Sequence, residues 1–186
     1  MKINPNEFAS AATSSIKKEL SEGIKSFVPV GCRYGQFKTG TKYLEVGHVC
    51  IETDKDPLKE VGATFYCRFP LTQNMLWALG NYAYAIGYRK EFDPESVEDF
   101  QKVMMSGPIK IKLEDSEYGL QAKKYFVCDV DRDQNNNPIF VSSTEDLIVK
   151  AEGWVQRAFE KADEREGTSF KSAKTTGYDP NSTVPF

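Results

Sequence analysis

Alternating apolar and polar positions predict that much of this chain folds as β-strands. Two β-type segments run from Phe27 to Thr53 and are separated by the turn-like sequence KTGT, so we expect a hairpin here. A third strand follows, in which Phe65, Cys67 and Phe69 occupy alternate positions and therefore face one side of a sheet.

The second half of the chain repeats this pattern. Ile109, Ile111 and Leu113 alternate with lysines, which predicts a strand with an apolar inner face. A strand from Gln121 to Val130 is expected to pair with it across the turn sequence SEYG. A short last strand is expected in the sequence IFVSS after the polar run DRDQNNNP.

Helical periodicity indicates three further regions. A short N-terminal helix is expected within residues 4–20, where apolar residues recur every four positions. A mid-chain helical insertion begins near Leu76, has a cap signal at Asp93 and runs to about Met105. The last helix is expected to be capped by Ser143 and Asp146, in the spacing of a capping box. Its apolar stripe contains Leu147, Ala151, Trp154, Val155, Ala158, Phe159 and Ala162.

Five or six strands in hairpins with a helical insertion are typical of a small, partly open antiparallel β-barrel of the OB type, although a mixed α+β sandwich shares the pattern. We therefore predict a mainly β protein with helices. One OB-like domain is expected over residues 1–166, with a disordered tail over residues 167–186. The stripe on the last helix completes the core in this interpretation, and the alternative is that it pairs two protomers.

Composition limits the classes of function. The chain has 186 residues, and no apolar run is long enough to cross a membrane or to form a secretory signal, so we expect a soluble, cytoplasmic protein. Four cysteines without a C-x-x-C pair predict reduced core thiols in a reducing compartment. The formal net charge of -3 argues against coating of duplex DNA by bulk charge, but it permits a local basic face.

The common catalytic and metal-binding patterns are absent from the sequence. The acidic run from Asp129 to Asn137 has the spacing of a calcium loop, but Gln134 and Phe140 stand where that loop needs glycine and glutamate. His48 is the one histidine, and no phosphate-binding glycine motif occurs. We therefore predict a protein that is not an enzyme and needs no metal or cofactor. A nuclease using the acids from Asp129 to Asp133 with Glu114 is the least favoured class.

Aromatic and cationic residues are interleaved along the predicted strands. Rings stack on bases while lysine and arginine neutralise phosphates, so this mixture favours single-stranded nucleic acid, although the wet face of any antiparallel sheet can have similar residues. No predicted helix is basic enough to read a duplex groove. The candidate binding residues are Arg33, Tyr34, Lys38, Lys42, Tyr43, Tyr66, Arg68, Lys110, Lys112, Lys123 and Tyr125.

The final residues Val184, Pro185 and Phe186 form an apolar tip with Asp179 nearby. An exposed aromatic on a long tether suits a pocket on another protein. The tip resembles that of the single-stranded DNA-binding proteins, whose acidic tails end in a short Pro-Phe sequence that docks replication and repair proteins. Lys171 and Lys174 depart from the acidic character that this family has upstream of its tip. The resemblance implies that these four residues recruit replication or recombination partners.

The body of the chain, from about Phe27 to Asp131, also resembles the phage-encoded OB-fold single-stranded DNA-binding proteins. The order of elements and the segment from Met75 to Val127 carry this likeness. It implies a protein that binds single-stranded DNA in phage replication, recombination or repair, in the host cytoplasm. The alternative is a phage accessory protein that binds a host or virion protein and no nucleic acid, which the acidic composition favours.

Overall fold

A computed structural model describes residues 18–166 together with the backbone of residues 172–174. The helix expected within residues 4–20 lies outside the described residues, except for positions 18–20, which are not helical. No helix within the described part of the chain is both long and apolar enough to span a bilayer.

The core of the fold is an antiparallel sheet. Its first five strands are ordered β3-β2-β1-β4-β5, and the short β6 adds to the sheet by pairing with β1. The hairpin predicted between Phe27 and Thr53, the third strand and the hairpin across SEYG are all confirmed. The strands are β1 Gly23–Gln36, β2 Lys42–Thr53, β3 Thr64–Pro70, β4 Ile109–Ser116, β5 Gly119–Val127 and β6 Ser172–Lys174.

β1 is the central strand and organises the sheet. β2 pairs with one edge of β1 along most of the length of β1. At the other edge of β1, residues 23–27 pair with β4 and residues 31–33 with β6. The register with β2 shifts between Ser26 and Phe27 and again between Pro29 and Gly31. Bulges bend a strand and increase its twist, so β1 can belong to two differently directed parts of one sheet.

The sheet is open. β3 and β5 lie at the two ends of the five-strand order, and within the described residues no ladder of hydrogen bonds joins them. Among the described strands β6 pairs with β1 alone, so it also has an open edge. A barrel, which the hairpin pattern led us to expect, is therefore not closed. The architecture is a mixed α+β fold built on one antiparallel sheet, and β3 and β5 face each other across a cleft.

Four helices are present in the described part of the chain. The short helix Pro57–Glu60 was not predicted, and two others begin at residues different from those expected. Asp93 does not cap a helix; the cap of α3 is Ser96, whose Oγ accepts a hydrogen bond from the Asp99 amide. The prediction of a strand in IFVSS is wrong. The Val141 carbonyl accepts the first helical hydrogen bonds of α4, and Ser143 already lies inside that helix. The helices are α1 Pro57–Glu60, α2 Leu76–Ala85, α3 Val97–Met104 and α4 Ser142–Glu166.

Both faces of the sheet are covered by apolar packing. On one face α2 and α3 supply Leu79, Tyr82 and Phe100 to the larger core, which also contains Phe65, Cys67, Phe69, Ile109, Ile111 and Leu113 in the orientations that alternation predicted. On the other face α4 packs on β1 and β2. The members of this smaller core are Val28, Val30, Val49, Ile148, Ala151, Val155 and Phe159. Ala151, Val155 and Phe159 of the predicted stripe thus complete the core of their own chain, whereas Trp154 is 40% exposed.

The four cysteines are buried, as predicted, and no disulfide joins them: Cys32, Cys50, Cys67 and Cys128.

At Gly47, α4 packs closely against the sheet. A Cβ built there would lie 2.5 Å from Val155 Cγ1 and 3.3 Å from Tyr66 Cε1. We expect Gly47→Ala to reduce the free energy of unfolding by about 1–3 kcal/mol, because the added methyl overpacks this contact. Val155→Ala should relieve it, so the double variant should lose less than the sum of the two single losses. Urea denaturation measures all three values.

Gly80→Ala is the matched control, since a Cβ at Gly80 in α2 meets nothing within 4 Å. The same chemical change there should raise stability by about 0.5–1 kcal/mol, through helix propensity. If the losses of unfolding free energy in Gly47→Ala and Val155→Ala simply add in the double variant, the two positions do not interact and the proposed contact is wrong.

Candidate nucleic-acid interface

Four of the candidate binding residues converge on one face of the sheet. Arg33 in β1, Tyr43 in β2 and both Tyr66 and Arg68 in β3 point toward α4 and its end at Glu166. The Tyr66 ring meets that of Phe159 edge-on, with ring centroids 5.7 Å apart. Four of the eleven candidates are therefore brought together, but α4 lies on the surface that they form.

A buried ion network holds the end of α4 on this face. The Arg33 guanidinium donates to Glu45 Oε2 at 2.7 Å and to both carboxylate oxygens of Glu166 at 2.9 and 3.0 Å. The Tyr43 hydroxyl accepts from Arg33 at 2.7 Å and donates to Glu166 at 2.6 Å. The hydrogen bonds to Glu166 lower its pKa to about 2, and the bond from Arg33 has the largest effect.

Arg33 and Tyr43 are therefore not positioned to bind nucleic acid. Their side chains are 0% and 1% exposed, respectively. A buried guanidinium must be paired to offset its lost hydration, and the carboxylates of Glu45 and Glu166 provide that pairing here. Arg33 lies between Cys32 and Tyr34, which pack in the larger core, so its side chain is on the other face of β1. The local sequence does not indicate that a helix covers that face.

The structure places several other candidates apart from this face. The Tyr34 hydroxyl donates to the Pro94 carbonyl at 2.8 Å, and burial raises the pKa of this tyrosine. Lys38 is exposed in the turn between β1 and β2, and Lys42 Nζ lies 3.6 Å from Glu95 Oε1.

Lys110 and Lys112 in β4 share a face with residues of β5. They are paired in register with Phe126 and Lys124, respectively. Lys112 also forms an ion pair with Glu114 at 2.8 Å. These lysines therefore add positive charge beside β5.

A cleft of about 570 Å³ separates β3 and β5, and we call it the edge cleft. It contains Tyr66, Arg68 and Tyr125 from the predicted set. Its lining residues are Glu45, Phe65, Tyr66, Cys67, Arg68, Tyr118, Leu120, Gln121, Ala122 and Tyr125.

Different positions in the edge cleft have different exposure and charge. Tyr118 is 82% exposed at the turn between β4 and β5, where its amide donates to Ser116 Oγ. Arg68 is half-exposed and bonds Glu45 Oε1 at 2.9 Å. Burial raises the pKa of Tyr125, so its ring stays neutral at physiological pH. Burial also raises the pKa of Cys67 to about 12, which leaves this thiol protonated.

A second groove of about 590 Å³ lies between β5 and α2, and we call it the helix groove. Trp77 and Tyr84 line its α2 side, and they are 64% and 62% exposed. Lys123 and Lys124 line its β5 side. The complete lining is Trp77, Ala78, Asn81, Tyr84, Ala85, Ala122, Lys123, Lys124, Tyr125, Phe126 and Val127. The edge cleft and the helix groove share Ala122 and Tyr125, so they adjoin at these two residues of β5.

No protein-family model matches the chain, and no curated protein is significantly similar to it.

Sequence reasoning missed Tyr118, Lys124, Phe126 and the two exposed aromatic residues of α2, Trp77 and Tyr84. A signal for the α2 pair was present: Trp77, Asn81 and Tyr84 recur at i, i+4 and i+7, and therefore share one helix face. This face lies opposite the buried stripe of Leu79, Ala83 and Ile86. Two aromatics together on the outer side of an amphipathic helix are a reason to expect a binding surface.

The other chemical candidates have structural partners. His48 is fully buried, its Nδ1 donates to the Phe65 carbonyl, and its Nε2 accepts from the Tyr82 hydroxyl at 2.7 Å. Burial lowers the pKa of His48 to about 4, so the ring is neutral at physiological pH. Among the described residues no cluster of three or more histidines, cysteines or carboxylates could hold a metal ion. Asp179, Val184, Pro185 and Phe186 lie outside the described residues.

The ion pair of Glu166 predicts a pH dependence of stability. The pKa of Glu166 is depressed from 4.5 to about 2 in the folded protein. The ionised carboxylate therefore stabilises the folded state fully above pH 4.5, and this stabilisation is lost as the pH falls from 4.5 to about 2. At pH 7 we expect Glu166→Gln to lower the free energy of unfolding by about 1–3 kcal/mol, because a hydrogen-bonded charge is lost. This difference from the wild type should shrink steadily below pH 4.5.

Urea denaturation at several pH values measures the difference. Glu164→Gln, at an exposed position on the same helix, is the control and should have little effect at any pH. A Glu166→Gln penalty that stays constant down to about pH 3 would show that the charge of Glu166 does not contribute.

Proposed function

We propose that this protein binds single-stranded DNA, without strong sequence preference and without catalysing a reaction. The observation that carries the proposal is the open edge of β5, which has aromatic rings and cations on both sides. Nonspecific single-strand binders combine these two elements, because every base has a face that can stack and every phosphate has a charge.

The dimensions of β5 support this proposal. Its nine residues extend about 30 Å at the usual rise per residue, which is long enough to contact several nucleotides. As an edge strand it also has backbone N–H and C=O groups on its outer side that base edges can bond. A duplex would need a groove-reading element, whereas a cleft between two strand edges suits a single chain.

The order of the strands is a second support. Two hairpins joined through the long β1, with helices inserted between β3 and β4, form the arrangement that we infer to be an opened OB fold. In this interpretation the edge cleft is the seam between β3 and β5. Folds of this type bind oligonucleotides, which agrees with the resemblance of the sequence to phage single-stranded DNA-binding proteins.

The binding surface in this proposal differs from the one expected from sequence. Tyr66, Arg68, Lys123 and Tyr125 remain in it, with Tyr118 as an added stacking residue. Lys110 and Lys112 contribute charge from β4. A role in phage replication, recombination or repair, and the recruitment of partners by Val184, Pro185 and Phe186, rest on the resemblance alone.

Fluorescence anisotropy with a labelled oligo(dT) tests the proposal. We expect sub-micromolar binding at low salt that weakens steeply as salt is added, since phosphate contacts release counterions. Tyr118→Ala should weaken binding by about 1–3 kcal/mol, which is the usual loss of one stacked base. Tyr118→Phe keeps the ring and should retain most of the affinity.

Tyr118 is exposed, so neither change should alter the melting temperature by much. Lys55→Ala is a second control, because Lys55 is exposed and lines neither the edge cleft nor the helix groove. If the wild-type protein does not bind oligo(dT) at low salt, the proposed function is wrong. If Lys55→Ala weakens binding as much as Tyr118→Ala, the edge cleft is not the site.

A further inference from the structure

The helix groove has a different electrostatic character from the edge cleft. Glu45 lies in the edge cleft and is paired with Arg68. The helix groove is lined by Lys123 and Lys124, and no carboxylate is among the described residues that line it. Lys123 interacts electrostatically with Glu114, which lies outside this lining, but the lining itself presents positive charge to a polyanion, even though the whole chain has a formal net charge of -3.

A third cation lies close to this groove. The Arg89 guanidinium lies 3.8 Å from the centroid of the Tyr84 ring and donates to the Tyr84 carbonyl. Lys124 Nζ likewise lies 5.3 Å from the centroid of the Phe126 ring. Cations beside aromatic rings combine phosphate neutralisation and base stacking at one place.

The two rings on α2 are spaced for an extended chain. Trp77 and Tyr84 are seven residues apart on one helix face, which corresponds to about 10 Å along the axis. Rings this far apart cannot enclose a single base between them, but each can take a separate base. Trp77 is the more exposed of the two and has the larger stacking surface.

We propose that the helix groove is a second nucleotide subsite, in which a single DNA strand leaving the edge cleft continues along β5 and stacks a base on Trp77. Lys123 and Lys124 neutralise its phosphates from the β5 side, and Tyr84 stacks a further base. The inference rests on the proposed function, because a strand bound in the edge cleft lies next to this groove, which adjoins the cleft at Ala122 and Tyr125. It predicts that α2 participates in binding, in addition to the strands.

Intrinsic fluorescence gives a direct readout of this subsite. The chain has two tryptophans, Trp77 and Trp154, so Trp154→Phe leaves Trp77 as the single reporter. We expect its emission to be quenched when an oligo(dT) of about 15 nucleotides, the upper part of the usual site-size range, saturates the protein. A chain of the same length made of abasic sites offers phosphates without bases, and should not quench Trp77.

Affinity measurements separate stacking from charge. Trp77→Ala should weaken oligo(dT) binding by roughly 5- to 150-fold, the range expected for one lost stacking partner, and Trp77→Phe should weaken it much less. Binding of the abasic chain should be nearly the same in both variants. Trp154→Phe alone should leave affinity unchanged, since Trp154 lies on α4 away from both grooves. Thermal melts confirm that the Trp77 variants are folded.

Each outcome bears on one claim. Quenching by oligo(dT) together with weaker binding of Trp77→Ala supports the subsite. A second outcome is that oligo(dT) binds and Tyr118→Ala weakens its binding, while Trp77 emission does not change and Trp77→Ala binds as tightly as the wild type. The subsite is then refuted and the proposed function stands. If oligo(dT) does not bind the wild-type protein, both claims fail, and the helix groove is then a surface for another class of ligand, such as a protein.

Discussion

The ion network of Arg33, Glu45 and Glu166 determines which surfaces of this protein are available. A guanidinium taken out of water needs anionic partners, and one of those partners is the last residue of α4, 133 positions away in sequence. The network therefore holds the end of α4 against β1 and β2, where Val155 and Phe159 pack on the sheet. The face with the densest set of rings and cations is used for folding, and binding has to use another surface.

That other surface follows from the open sheet. With α4 on one face and α2 and α3 on the other, the uncovered backbone in the described part of the chain is at the edges of β3, β5 and the short β6. An open strand edge can pair with a strand of another chain. Lysines such as Lys123 and Lys124 oppose this pairing because they repel a second cationic edge. The same charges attract a polyanion. In the proposed function, the same side chains thus oppose strand addition and attract nucleic acid.

The sequence predicts local structure well and long-range coverage poorly. Strict alternation placed Ile109, Ile111 and Leu113 in the core, because a strand covered on one face has a period of two. The predicted starts of α3 and α4 are wrong by a few residues. Several polar residues near the start of each helix could act as its cap, and a single hydrogen bond determines which of them does. The burial of Arg33 depends on Glu166, and no local pattern encodes a contact between residues so far apart. Trp77 and Tyr84 were overlooked because the helical stripe was read only for its buried side.

Photo-cross-linking tests most directly whether the open edge of β5 holds the DNA. An oligonucleotide with 5-iodouracil in place of thymine forms adducts with aromatic side chains that stack on it, and mass spectrometry of the digested complex locates them. The account predicts adducts on Tyr118 or Tyr125 in the edge cleft, and on Trp77 in the helix groove. Adducts confined to the turn between β1 and β2, or to the exposed surface of α4, would contradict it.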